Sequence, residues 1–133
     1  LLERKVRILA GSDVPCGPVP PGLSLWRELS LLVDVGMSPE QALRAATSDA
    51  AAFLGRPELG WLRPGAVADM VFVRGDPLGH IPRRPGIALV VRAGVAHRPE
   101  DLLREAGAVT ALADEPWATQ FRAHWTRAQG AQP

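Results

Sequence analysis

Gly11-Ser12-Asp13 closes a short apolar run, Val6 to Ala10, and puts a carboxylate where the chain leaves what reads as a buried strand. A carboxylate there has two ordinary uses. It can bond backbone N–H groups and shape the turn, or it can stand at the strand's end as a base. The tripeptide alone favours the turn, and Ser12 either orients the carboxylate or is a plain turn serine. Other groups capable of chemistry are scattered. Of the histidines, His80 falls in an Arg-rich loop, His97 ends a hairpin strand, and His124 sits beside an aromatic helical stripe; none closes a buried strand, so surface or packing roles suit all three. Cys16 lies near Asp13, yet a lone cysteine beside a site is usually packing. One carboxylate cannot hold zinc.

The elements that must position Asp13 follow in a regular order. Val14 to Gly22 holds four prolines and two glycines, which makes it a loop over the strand's end. From Leu25 the spacing of Trp26, Leu29, Leu32 and Val33 predicts an amphipathic helix, with Ser24 as its cap and Gly36 as its left-handed stop. Ser38-Pro39-Glu40-Gln41 is a capping box that opens a second helix, whose alanine face permits close approach to a neighbour. A short helix from Thr47 or Ser48 ends at Gly55.

After Pro57 the texture changes to strands. Gly60 to Leu62, a Pro64-Gly65 turn, Ala68 to Arg74, and a hairpin of Ile87 to Ala93 and Val95 to His97 about Gly94 predict a small sheet with exposed edges. Asp69 on a strand is read as a structural hydrogen-bonding residue, and Asp76 before Pro77 as a turn former. Beyond Pro99 come two helices, the last carrying Trp117, Phe121 and Trp125 every four residues as a docking face, then a frayed tail from Gly130.

Composition narrows the function classes. Hydrophobic residues at 47% and charged residues at 22% describe a chain able to build a core. Fifteen Lys and Arg against fourteen Asp and Glu leave a formal charge of +1, so no bulk field recruits nucleic acid or anionic lipid, and Arg83-Arg84 reads as a solvated loop. No apolar run is long enough for a membrane span. The single cysteine excludes an internal disulfide and suits a reducing compartment, with cytoplasm the expected location. Leu1 is not an initiator Met, and the chain runs at once into a strand pattern, which suggests a fragment.

The ordered text resembles the C-terminal portion of the amidohydrolase superfamily, in its imidazolonepropionase-like and Xaa-Pro dipeptidase-like branches. Val6 to Asp13, Glu28-Leu29 through Gly36-Met37-Ser38-Pro39-Glu40-Gln41, Ala46-Thr47 and Leu54-Gly55 carry it. Leu59-Gly60, Pro64-Gly65, Ala68 to Val71, Gly75 to Leu78 and Ala93-Gly94 extend it over about residues 4 to 97. Each piece is weak singly; the unbroken register is specific. The resemblance implies an α/β fold in which residues 1–57 are the last strand, active-site loop and helices of a (β/α)8 barrel (TIM barrel), residues 58–97 are strands of a small β-sandwich, and residues 98–133 are C-terminal helices and tail. It makes Asp13 the family's catalytic and metal-contacting aspartate, which takes a proton from water and delivers it to the leaving nitrogen. It further implies a divalent metal, zinc by preference, whose His-x-His pair and other ligands lie outside this chain. The substrate would be a small molecule with a C–N bond, a cyclic amide or a dipeptide, and the partner the missing N-terminal part of the polypeptide, with room for a homo-oligomer. The chain departs from the family at Trp26, where many relatives carry a histidine two residues before Glu28, so substrate preference does not carry over. Trp26 reads as a core-packed helix residue, with an apolar pocket wall as the other reading. On this view the fragment alone is inactive. The competing reading is a catalytically inactive α+β module descended from such an enzyme, binding a partner through its sheet edge and aromatic helix; a His-x-His strand upstream in the gene separates the two.

Overall fold

The computed structural model describes residues 4, 6–14 and 22–110. Cys16, His124 and the stripe of Trp117, Phe121 and Trp125 lie outside these residues, as does the tail from Gly130.

Three helices form the first layer: α1 (Leu23–Asp34), α2 (Pro39–Ala46) and α3 (Ser48–Phe53). The capping box forms as its sequence requires, with the Gln41 N–H donating to Ser38 Oγ at 3.1 Å and the Ser38 N–H donating to Gln41 Oε1 at 2.8 Å. The end of α1 is a Schellman turn built on Gly36 at φ 108, whose N–H donates to the Val33 carbonyl while the Met37 N–H donates to that of Leu32. Gly55 at φ 67 ends α3 in the same way. The start of α1 differs from expectation. Gly22 at φ 85 occupies the cap position and Ser24 falls inside the first turn, nearly buried, its Oγ without a hydrogen-bond partner. Glycine's freedom at positive φ lets the helix begin two residues earlier than a cap at Ser24 would allow.

Ala42 and Ala45 are fully buried, and these small side chains bring α1 and α2 close enough to enclose Leu29. The third member of that cluster is Ile81, 2% exposed, from the Pro- and Arg-rich loop after residue 76. Trp26, Leu32, Val33, Leu43, Ala46 and Ala10 pack around it.

The sheet is antiparallel with order β1-β2-β3, from β1 (Met70–Val73), β2 (Ile87–Arg92) and β3 (Val95–His97). Ala93 at φ 49 and Gly94 at φ 80 turn β2 into β3, both left-handed, as a two-residue hairpin turn demands. The expected Gly60–Leu62 strand does not form. Gly60 sits at φ 73 with its α-carbon against the backbone joining α2 to α3, a conformation no strand adopts, and Arg63 lies over the Trp61 ring at 5.3 Å. The Pro64-Gly65 turn forms with Gly65 at φ 83 and the Ala66 N–H donating to the Arg63 carbonyl at 3.1 Å, the geometry of a type II turn. Finally α4 (Pro99–Thr110) packs on β2, with Leu102 half-buried and Leu103 exposed.

Val6 to Ala10 pairs with no strand among the described residues, and a strand of a parallel sheet cannot form its ladder without neighbours. Instead the Ala10 N–H donates to the Ala45 carbonyl at 3.1 Å, tying the segment to α2. Apolar surface is correspondingly open: Val35, Phe53, Leu54 and Leu62 are each at least 66% exposed. Among the described residues no helix is long and apolar enough to cross a membrane.

Candidate active site

Three aspartates among the described residues lie outside helices and strands, and their carboxylates are used differently. Asp76 Oδ1 accepts from the Leu78 N–H at 3.0 Å, an Asx turn, so this residue is a turn former. Asp69 Oδ1 accepts from the Ala93 N–H at 2.6 Å across the sheet, a structural bond of the kind expected of it. Asp13 is different. Its carboxylate is exposed and accepts no hydrogen bond from the described residues. The donor that would make an Asx turn lies two residues on, and that residue is Pro15, which has no N–H.

The backbone at Asp13 is also unusual, at φ 51. Left-handed geometry costs a non-glycine residue about 1–2 kcal/mol, least for Asn and Asp, and such strain gathers at functional sites. The other left-handed non-glycine among the described residues, Ala93, is explained by its hairpin. Asp13 has no ladder to explain it. What holds the segment is the Ala10 bond to Ala45 and the packing of Ala10 against the cluster of Leu29, Ala42 and Ile81.

The remaining candidates do not join Asp13. Ser12 is half-buried and makes no hydrogen bond to it. Glu28 is half-buried on α1, and Trp26 is packed on the core, consistent with a core-packed helix residue. His80 is exposed in its loop and His97 sits in β3 opposite Val90. Among the described residues no three of His, Cys, Asp or Glu come together as a metal site. Asp13 can offer a single carboxylate ligand, and a catalytic zinc takes about three protein ligands, so the described residues do not by themselves fit the metal.

The amidohydrolase family model matches residues 1–112. The chain belongs to the amidohydrolase family. Within it the relatives are of the imidazolonepropionase-like branch. An imidazolonepropionase of Streptomyces avermitilis is 46% identical over 57 residues, covering 43% of this chain and 14% of that protein. One from Rhodococcus jostii is 36% identical over 95 residues, covering 68% of this chain and 22% of that protein. The crystal structure of a protein assigned as a prolidase from Bifidobacterium longum superposes with a TM-score of 0.67 at 36% identity, covering 79% of this chain and 28% of that one. This amidohydrolase chain thus spans less than a third of the length of these relatives. Its helices and small antiparallel sheet are the α/β content that such neighbours lead one to expect.

Proposed function

We propose that this chain is the C-terminal part of a metal-dependent hydrolase of C–N bonds in a cyclic amide or dipeptide-like small molecule, with Asp13 as its metal-contacting proton shuttle. The observation that carries the reading is the Asp13 carboxylate, strained in backbone and unoccupied by the described residues, in a chain whose other two described aspartates outside helices and strands bond backbone N–H groups. Family membership supplies the chemistry. A divalent metal, zinc by preference, would be held mostly by residues outside this chain and would supply a water acidic enough to lose its proton near neutral pH. Asp13 would take that proton and hand it to the leaving nitrogen, two acts that one carboxylate can perform in turn.

Residues 1–57 would then be barrel, 58–97 sandwich and 98–133 terminal helices, in a cytoplasmic enzyme. The open apolar surface of α1 and α3 supports a larger fold of this kind, because Val35, Phe53 and Leu54 would be buried by more protein. Assay of the full-length protein with imidazolonepropionate and with an Xaa-Pro dipeptide, before and after chelation and with zinc restored, tests the reading. Zinc-restorable hydrolysis of either is expected, and none from the 133-residue chain alone. Turnover that survives complete metal removal, or turnover by the isolated chain, overturns it.

A further inference from the structure

Gly60 lies where no side chain fits. A Cβ built there would stand 2.6 Å from the Thr47 carbonyl carbon, 2.7 Å from Ser48 N and 2.7 Å from the Thr47 oxygen, and all three are backbone atoms that cannot rotate aside. That backbone is the joint between α2 and α3. Thr47 closes α2 through its N–H to the Arg44 carbonyl at 3.1 Å and its Oγ1 to the Leu43 carbonyl at 2.7 Å, while its own carbonyl accepts the Ala51 N–H that begins α3. Two residues before the joint, the Ala45 carbonyl takes the Ala10 N–H, and three residues after Ala10 comes Asp13.

We propose that Gly60 is a positioning residue for Asp13: by letting its bare α-carbon rest on the α2–α3 joint, it sets where the Ala45 carbonyl stands and so where the segment bearing the carboxylate is held. The value of this placement rests on the catalytic reading of Asp13; the mechanical link does not. A side chain at 60 must push Thr47, and the displacement passes through the last turn of α2 to the backbone bond that the described residues make to the Asp13 segment. Misplacement of a reacting group by about 1 Å can lower turnover on the order of a hundredfold, so even a partial shift is measurable.

The test compares Gly60→Ala with Gly55→Ala in the full-length protein. Both glycines are left-handed, at φ 73 and φ 67, so both substitutions strain the chain, but a Cβ at Gly55 meets nothing within 4 Å. Hydrogen exchange read by mass spectrometry on the peptide spanning residues 6–13 should quicken on the order of tenfold in Gly60→Ala and stay unchanged in Gly55→Ala. With imidazolonepropionate as probe, kcat should fall about tenfold in Gly60→Ala alone, with KM unchanged. Equal exchange in the two variants, or wild-type exchange in Gly60→Ala, overturns the proposal. Should Gly60→Ala yield no folded protein, Ala10→Pro deletes the donor at the other end of the link; unchanged exchange of the remaining amides of residues 6–13 there also overturns it. Asp13→Asn separates the two claims, since full turnover in that variant removes the catalytic reading while the exchange rates still decide the Gly60 link.

Discussion

The Asp69 carboxylate accepts the Ala93 N–H at 2.6 Å, while the neighbouring Ala68 carbonyl accepts the Gly94 N–H at 3.0 Å. Both amides of the left-handed turn between β2 and β3 are therefore satisfied by the residues that lead into β1. The bond also offsets the cost of holding Ala93, a residue with a Cβ, at φ 49. Asp69→Ala should destabilise the protein by about 1–2 kcal/mol, and Asp69→Asn, which keeps the acceptor, by less. Urea unfolding of the two variants checks this; equal losses would show that the acceptor is not what matters.

Ile81 offers a sharper test of packing. Its side chain fills the space between Leu29 and Ala42, and truncation to alanine would leave a void there. A loss of about 2–5 kcal/mol is expected for Ile81→Ala, and well under half of that for Ile81→Val. Thermal unfolding distinguishes these outcomes from a surface residue, which would shift stability by no more than about 0.5 kcal/mol.

Glu58 sets an acid dependence. Hydrogen bonding from its own backbone, and then the Arg56 guanidinium beside it, hold its carboxyl below the ordinary glutamate value. A depressed folded-state value means stability that is fully present above the ordinary value and is lost as pH falls through the depressed one. The melting temperature of wild type should thus drop more steeply on acidification than that of Glu58→Gln. Parallel curves would remove Glu58 from the account.

Asp13→Asn in the full-length protein should lower turnover by at least about a hundredfold while leaving the melting temperature within about 2 °C, because under the proposed function the carboxylate would carry proton transfer, and it bonds no described part of the fold. Unaltered kcat excludes Asp13 from the chemistry. A large fall in melting temperature would instead mark it as structural.

Much of this arrangement could be read in the residues themselves. Ser38 and Gln41 cap α2 because their side chains reach only three residues, and Gly36, Gly55 and Gly65 take left-handed positions that their local sequences announce. Where long-range contact decides, the sequence was silent. Ile81 is one apolar residue among prolines and arginines, without periodicity to mark it as core, and only the return of its loop onto α1 and α2 buries it. The Gly60 strand fails for the same reason: its neighbours suggest extension, and the contact that bends it comes from Thr47. Asp13 is an intermediate case. Its tripeptide points to a turn, and Pro15 two residues on removes the donor such a turn would use.

The place of Ile81 carries a last implication for how the molecule comes apart. A cut in the exposed stretch at Arg56–Pro57 would sever the chain without freeing two finished pieces. The helical piece would be left with an unplugged socket over Leu29 and Ala42, and the sheet piece with a greasy projection seeking cover. The two products should therefore cling together after nicking, and should clump when prised apart.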